Sequence, residues 1–446
     1  MEANNTCGFR DPKTEGGKAL NAYIGLAILV LTIFLLVKRY ETRLVLLCAG
    51  FIMAAVAGKP MAVFAAFVDR MVYAGLVPPI LSAMGFAYVM KITECDKHLV
   101  WMVSKPMMKV RMFLVPGAII VTALCNLAIQ SAAGTSAAVG AILIPVLMNA
   151  GIKPAAAASA VMAGTFGSSL NPGNPHDIMV AKIANANVMD AVNTVLPATL
   201  AGIVIAAVSL TIIVHLLKED GRGNGEASGT TATAVEIPQI NYFMALIPFV
   251  PLVILLLGSM KIVPAFNIPP AYAMMIGVVA GAFASFTRQK PSKEYVTTIT
   301  KGFFDGMGKA YGDVIGIIIA AAVFAKGLQE IGLIKVLTET MVGAESVVKA
   351  ASAFGPFLLA ILVGSGDAAT IAFNEAVTPH AEIFGMSALK MGSLAHAGGF
   401  FGRTMSPLAP AAIICAGMAG TDPLNIMKRN APAMVIATLA AVFILA

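Results

Sequence analysis

Charged residues are scarce in this chain of 446 residues: Asp, Glu, Lys and Arg make up 12% of the sequence, whereas hydrophobic residues make up 58%. The mean hydropathy of +0.85 exceeds what a soluble core of this length needs, which excludes an ordinary water-soluble domain. Apolar runs such as 22–37, 201–217 and 244–257 are long enough to cross the hydrocarbon core of a membrane as helices. The composition therefore predicts a polytopic membrane protein.

Other signals are missing as well. Segments of alternating hydrophobicity about 10 residues long are absent, which excludes a membrane β-barrel and leaves an all-α fold. The five cysteines are scattered without a CxxC spacing, so they predict neither a disulfide framework nor a metal site. The HExxH, GxSxG and Walker A motifs do not occur, and we therefore do not expect an enzyme.

Lysine and arginine cluster in loops between apolar runs, and bacterial membrane proteins keep such residues on the cytoplasmic side. The clusters are Lys38, Arg39 and Arg43; Lys91, Lys97, Lys105, Lys109 and Arg111; Lys218 and Arg222; Arg288, Lys290, Lys293 and Lys301; and Lys428 and Arg429. With all of them cytoplasmic, about five spans fall in each half, and an odd number makes the halves inverted. We predict a first inverted repeat at 1–217, a cytoplasmic linker at 218–238 and a second repeat at 239–446. Because the net charge of +7 is spread over these loops, no nucleic-acid partner is expected.

The same arrangement of a polar patch followed by Pro and Gly residues recurs in both halves. Two small polar patches, Ser131–Thr135 and Gly364–Asp367, interrupt apolar sequence, and equal spacings of Pro and Gly follow each patch. The matching positions are Ser131, Pro145, Gly151 and Gly164 in the first half, and Ser365, Pro379, Gly385 and Gly398 in the second. Matching interruptions in the two halves of a membrane chain are the best sequence indication of a transporter's binding site.

Each half is predicted to contain a re-entrant hairpin, at about 111–150 and about 350–384. These segments are too long for one span, and each turns at its polar patch. Non-helical backbone at membrane depth is stable only where it is buried in protein or lines a wet cavity. The hairpin tips therefore indicate a cavity.

Each half is also predicted to contain a broken helix, at about 154–189 and about 387–420. In the first, Asn174 precedes Pro175 in the manner of an N-cap followed by proline at the first helical position, and we expect Ser406 and Pro407 to do the same in the second. Helix N-termini that meet near the membrane midplane attract anions. A small anion with carboxylates is the expected ligand.

Arg403 is the one basic residue of these polar elements that is suited to pair with a carboxylate through two hydrogen bonds. The alternative is that Arg403 neutralises the carbonyl groups at the end of its own half-helix. For coupling to an ion, the candidates are Asp177, Asp367 and His176, which could equally be helix caps or structural residues. We interpret Glu375 as a deep residue of the second hairpin. Arg70 is interpreted, with Asp69, Asp313 and Lys326, as an inter-helix or interface residue.

Several stretches resemble the DcuC family of anaerobic C4-dicarboxylate transporters, which belongs to the ion-transporter superfamily. They are Ala321–Gly332, Gly364–Asp367, Gly402–Pro407 and Ala416–Ala419. The resemblance implies inverted repeats, an elevator motion, a homodimer surrounded by lipid and a location in the bacterial inner (plasma) membrane. It also implies a substrate site that adds to Arg403 the tip residues Ser131, Thr135, Ser365 and Asp367, and Asn171, Asn174, Thr404 and Ser406 of the unwound segments.

The resemblance implies secondary transport of succinate, fumarate or malate by antiport or by cation coupling. The Ser-Asn-Thr signature of related sodium symporters is absent from both tips, so proton and sodium both stay open as the coupling ion. No other cofactor is expected, and no metal ligands are assigned. The alternatives are a carrier of another organic anion, such as citrate, an amino acid or a peptide-like acid, and an anion channel.

Overall fold

The computed structural model describes residues 12–107, 114–220, 239–336 and 345–445. Within these ranges the chain forms helices and short 3-10 or π turns, with no β-strand, which confirms the all-α prediction. Most of the predicted cytoplasmic linker, at 221–238, lies outside the described residues. So do residues 111–113 at the start of the predicted first hairpin.

The first half contains ten helices in its described ranges. They are α1 (Pro12–Val37), α2 (Thr42–Val56), α3 (Pro60–Met71), α4 (Val77–Ile92), α5 (Cys95–Met107), α6 (Leu114–Ala128), α7 (Ala132–Asn149), α8 (Pro154–Ala163), α9 (Pro175–Ile183) and α10 (Val188–Leu216). A 3-10 turn, Gly167–Leu170, lies between α8 and α9.

The described ranges of the second half contain ten more helices, and a further helical stretch occupies 333–336. They are α11 (Tyr242–Leu246), α12 (Val250–Ser259), α13 (Pro270–Ser285), α14 (Lys293–Ala310), α15 (Gly316–Glu330), α16 (Glu345–Val363), α17 (Gly366–Ala376), α18 (Ala388–Met405), α19 (Pro410–Ala419) and α20 (Pro423–Leu445). Short 3-10 turns occur at Ile247–Phe249, Pro264–Phe266 and Thr378–Phe384, and a π turn, Tyr311–Ile315, joins α14 to α15.

Within the described ranges, six helical segments are long and apolar enough to cross a membrane. They are Ala132–Asn149, Val188–Leu216, Tyr242–Ser259, Lys293–Glu330, Ser346–Val363 and Pro423–Leu445. Five shorter apolar helices accompany them. This pattern agrees with a polytopic membrane protein.

Both predicted hairpins turn where the sequence indicates. The first turns between α6 and α7, so that Ser131 lies at the tip and Thr135 lies in the first turn of α7. The second turns between α16 and α17, at Gly364 and Ser365. The side of the membrane from which each hairpin enters stays a prediction, as does the inversion of the two halves.

The first helix break matches its prediction, but the second does not. Helix α9 begins at Pro175 with Asn174 as its N-cap. In the second half α19 begins at Pro410 instead, so the prediction that Ser406 and Pro407 restart the helix is wrong by three residues. The reason is that the Ser406 hydroxyl bonds to Ile361 O and to Leu408 N and forms a turn.

The repeat is visible in how closely each broken helix approaches its hairpin. A Cβ atom at Gly164 would lie 2.4 Å from Ile119 O, and one at Gly398 would lie 2.1 Å from Ala353 O. Each of these carbonyls stands twelve positions before the tip serine of its own half. Only glycine permits such an approach, so the matched glycines predicted from the sequence perform the same packing task in both halves.

Buried residues form two packed groups that also share buried contacts. One hydrophobic core joins the hairpins, the broken helices, α10 and α20, and we call residues 114–216 and 345–445 the hairpin body. A second core unites α4, α11, α13 and α14; we call residues 12–92 and 242–330 the frame. Between them, α2, α4 and α15 of the frame pack on α9 and α17.

Candidate functional site

Each hairpin tip begins its second helix with a serine cap. The Ser131 hydroxyl accepts a hydrogen bond from Gly134 N at 3.0 Å, and the Ser365 hydroxyl accepts one from Ala368 N at 3.2 Å. Both serines therefore serve first as helix caps. The backbone N–H groups of the two first turns retain the positive end of a helix dipole.

Asn171 and Ser406 tie each break to its own hairpin in the same way. Asn171 Nδ2 donates to Leu127 O at 2.6 Å, and Ser406 Oγ donates to Ile361 O at 2.7 Å. Both accepting carbonyls lie four residues before the tip serine. Each side chain also accepts from the backbone N–H two residues ahead, which confirms that Asn171 and Ser406 are equivalent positions.

Two of the predicted substrate residues direct their hydroxyls to nearby groups of their own half. Thr135 Oγ1 donates to Ile129 O and accepts from Asn126 Nδ2, so Thr135 holds the first tip in shape. Thr404 is not in an unwound segment as predicted, because it lies inside α18, where its hydroxyl donates to Phe400 O. Both threonines are fully buried.

Asn174 holds the restart of α9. Its Oδ1 accepts from His176 N at 2.9 Å, and its Nδ2 donates to Ser168 O at 2.9 Å. The side chain is buried, so both bonds form away from bulk water. Asn174 thus fixes the point at which α9 presents His176 and Asp177 to the second half.

Two His–Asp pairs connect the halves, and we call them the crossed pairs. His176 Nε2 lies 2.9 Å from Asp367 Oδ1, and His396 Nδ1 lies 3.1 Å from Asp177 Oδ1. In each pair one residue comes from α9 and the other from α17 or α18. The two imidazoles and Asp177 are buried, whereas the side chain of Asp367 is 51% exposed, so the accessible side of the cluster is the second hairpin tip.

Phe400 brings the crossed pairs next to Arg403. The centroid of its ring lies 4.4 Å from that of His396 and 5.2 Å from that of His176. The guanidinium carbon of Arg403 lies 4.6 Å from the same centroid. Three side chains that can carry positive charge therefore surround one aromatic ring.

Arg403 is only partly engaged by the backbone. Its Nη2 donates to Thr165 O at 2.6 Å, a carbonyl in the break of the other half, and its side chain is buried. Within the described residues, its Nε has no hydrogen-bond partner. The alternative role predicted contacts with carbonyls of its own half-helix, whereas this carbonyl belongs to the other half, and the contact leaves donors for a carboxylate.

Unpaired polar atoms concentrate around this cluster. Among the described residues, ten buried side-chain nitrogen or oxygen atoms lack a hydrogen-bond partner, and nine of them belong to the hairpin body. At the centre they are Arg403 Nε, His176 Nδ1, His396 Nε2 and Asp177 Oδ2. Buried polar groups are normally paired, so this concentration indicates a place where a polar ligand binds.

Sequence reasoning missed His396 and Phe400. The available signal was a lone histidine in the apolar stretch 394–397, because an ionisable residue inside a membrane helix is a functional candidate. Its partner Asp177 is far away in the sequence, and only the packing of α9 on α18 reveals the pair. Thr165 offered no signal, since it contributes only its backbone carbonyl.

A second polar feature joins the frame to the second hairpin. Arg70 of α3 donates to Glu375 of α17 at 2.8 Å, which agrees with the inter-helix role predicted for Arg70. The pair lines a cleft of about 930 Å³ with Asp69, Tyr73, Lys326 and His380 among its other polar residues. Across the described ranges, no group of three or more His, Cys, Asp or Glu is arranged to hold a metal ion.

Comparison with known proteins identifies the family. The sequence pattern of the DcuC family, described as C4-dicarboxylate anaerobic carrier, matches residues 20–446. The chain belongs to the DcuC family. This membership and the apolar helices place it in the bacterial plasma membrane as a multi-pass protein.

Individual relatives agree with this family. A putative uncharacterized transporter of Haemophilus influenzae is 37% identical over 278 residues, which cover 60% of this chain and 97% of that protein. The anaerobic C4-dicarboxylate transporter DcuC of Escherichia coli K12 is 26% identical over 359 residues, 79% of this chain and 76% of that one. The crystal structure of the YdaH transporter of Alcanivorax borkumensis shares the fold, with a TM-score of 0.62, 17% identity, and coverage of 93% of this chain and 97% of that one.

Proposed function

We propose that this DcuC family member is a secondary carrier of small C4-dicarboxylates such as succinate, fumarate and malate, working by antiport or by cation-coupled transport. The single observation that carries the proposal is the position of Arg403. It lies buried where the broken helices of the two halves meet, with part of its guanidinium unpaired. The carrier family and the E. coli relative support the same class of substrate.

The chemistry of the site fits a carboxylate better than a neutral ligand. A buried guanidinium is costly unless anionic partners compensate it, and a planar carboxylate matches its donors in two parallel hydrogen bonds. The capped first turns that begin at Ser131 and Ser365 add partial positive charge at the tips. Asn171, Asn174, Thr404 and Ser406 act in this proposal by shaping the tips and breaks around the substrate.

We further propose that the hairpin body moves past the frame as an elevator and that the frame forms a homodimer. Each group has a hydrophobic core of its own beside the core that the two share, and this supports a division into parts that can shift relative to each other. Access begins at Asp367, the one half-exposed member of the crossed pairs. Opening of the second hairpin would then expose Arg403.

Counterflow in proteoliposomes tests the function. Vesicles loaded with unlabelled succinate are placed in a trace of labelled succinate, and uptake is followed with competing fumarate, malate, citrate and glutamate. We expect succinate, fumarate and malate to compete strongly and the others weakly. Strong competition by citrate or glutamate alone would assign the carrier to another organic anion, and uptake without counterflow would indicate a channel.

Imposed proton and sodium gradients are applied in separate arms of the same experiment. An exchange rate that neither gradient changes would indicate antiport. An exchange rate that one gradient increases would identify the coupling ion. Arg43→Gln serves as a control for charge removal, because Arg43 lies outside the hairpin body and pairs with Glu41. Its transport should equal that of the wild type.

A further inference from the structure

Each imidazole of the crossed pairs has one nitrogen engaged and one nitrogen unpaired. His176 faces Asp367 with Nε2, and its buried Nδ1 has no partner among the described residues. His396 faces Asp177 with Nδ1, and its buried Nε2 is likewise unpaired within the described part of the chain. The two ring centroids are 5.0 Å apart, so the rings are neighbours in one buried cluster.

The unpaired nitrogens determine what can bind there. A neutral imidazole carries one N–H donor and one bare acceptor nitrogen, and an ionised carboxylate beside it fixes the donor on the facing nitrogen. The unpaired nitrogen of each ring is then an acceptor. A substrate carboxylate is also an acceptor, so it can bind at that nitrogen only after the ring has taken up a proton.

The charges around the rings also favour the uptake of a proton by an imidazole when the substrate binds. Asp367, Asp177 and Arg403 are the charged side chains that act on the two imidazoles from α17, α9 and α18. With both rings neutral and both carboxylates ionised, this group holds two negative charges and one positive charge. A bound dianion would add two more negative charges in a buried site, and protons on the imidazoles would offset them.

We propose that His176 and His396 bind the second carboxylate of the substrate while Arg403 binds the first, and that they take up a proton as the diacid binds. This inference rests on the proposed function and names the proton as the coupling ion. The proton comes from water on the side where the substrate enters and forms a new N–H bond at an unpaired nitrogen. The proton leaves with the diacid on the other side.

The first test measures proton uptake by the wild-type protein. Purified carrier in a weakly buffered solution with a pH indicator is mixed with fumarate, whose two carboxyl groups are fully ionised near neutral pH. We expect about one proton to be taken up per bound fumarate, because a single bound carboxylate needs at least one imidazolium donor. Fumarate binding without any proton uptake would overturn the inference.

The second test compares histidine variants. Wild-type affinity for fumarate should fall by about tenfold for each pH unit above the imidazole titration, which is the slope for one linked proton. His396→Gln and His176→Gln keep a polar side chain that cannot titrate, so this slope should flatten and the preference for fumarate over the monoacid crotonate should fall by about tenfold. His215→Gln is the matched control, because His215 is exposed at the end of α10 and pairs with Asp220.

The outcomes separate the inference from the proposed function. If the wild type exchanges C4-dicarboxylates but the two variants keep its pH slope and its diacid preference, the inference is wrong and the carrier function stands. If the wild type fails to exchange any C4-dicarboxylate in the counterflow assay, the proposed function itself is wrong. Thermal unfolding and gel filtration show whether each variant is folded, and the proton-uptake measurement needs no variant at all.

Discussion

The tips of the two hairpins are built alike and charged differently. Each begins with a serine cap, at Ser131 or Ser365. Two residues further on, the first tip has Ala133 and the second has Asp367, which reaches His176 of the other half. Ten residues beyond the tip serine, the first half has an alanine, whereas the second has a glutamate bonded to the frame.

The difference in charge between the two tips shows that the repeated unit has two tasks, one structural and one chemical. Backbone-directed contacts recur in both halves, because every helix break inside a membrane must satisfy its polar backbone groups. The crossed pairs and the ion pair of Arg70 with Glu375 have no counterpart in the repeat, and each of them connects one half to the other. The duplicated parts therefore make the shape of the site, and the unmatched side chains make its chemistry.

The largest effect should come from breaking the ion pair that only the second hairpin possesses. Arg70→Gln leaves the carboxylate of Glu375 buried and unpaired, and removing one partner of such a pair costs about 3 kcal/mol of folding free energy. Glu375→Gln should cost less, because Arg70 is 29% exposed and can still reach water. Chemical or thermal unfolding of both variants measures the difference.

Equal destabilisation by the two substitutions would contradict this account of the pair. A matched control is Lys309→Gln, which removes an exposed ion pair with Asp313 elsewhere in the frame. Exposed pairs contribute little, so its stability should equal that of the wild type.

The next effect tests whether the two halves pack alike. Gly164→Ala and Gly398→Ala each place a methyl group against a hairpin carbonyl, and overpacking of this kind costs about 1–3 kcal/mol. Gly417→Ala is the control, since a Cβ there meets no atom within 4 Å. We expect similar losses of thermal stability for the first two variants and none for the third. A large loss in only one half would show that the packing is not equivalent.

The smallest effect concerns the side chains that tie each break to its hairpin. Asn171→Ala and Ser406→Ala each remove a hydrogen bond to a hairpin carbonyl, at a cost of about 1 kcal/mol. Asn174→Ala removes a helix cap and should cost a similar amount. Succinate affinity should weaken in all three variants because the tips lose their fixed positions. Unchanged affinity throughout would show that these residues act as caps and ties alone.

Much of the fold follows from sequence, for reasons specific to membranes. Hydrophobic runs must be helical in lipid, and polar interruptions such as Ser131–Thr135 have to be tips or breaks. The duplication is readable because close backbone contacts require glycine at Gly164 and Gly398. The second restart was misplaced because Pro407 and Pro410 both suit a first helical turn, and only the contacts of the Ser406 hydroxyl decide between them.

The site was harder to predict. Sequence reasoning selected Arg403, His176, Asp177 and Asp367, and the structure brings all four into one cluster with His396 and Phe400. It gave no partner for any of them, because the pairs cross between halves that are about 200 residues apart in the chain. His396 was missed for the same reason.

The most direct test of the account measures succinate binding to Arg403→Lys. Lysine keeps the positive charge but lacks the planar guanidinium, which donates two parallel hydrogen bonds to a carboxylate. The loss of one charge-assisted hydrogen bond should lower the affinity for succinate by about tenfold or more. Arg403→Gln should bind more weakly still, and Arg43→Lys should equal the wild type because Arg43 lies outside the site. Near-equal affinity of Arg403→Lys and the wild type would contradict the account, since a residue that only offsets helix-end carbonyls is replaced by lysine without loss.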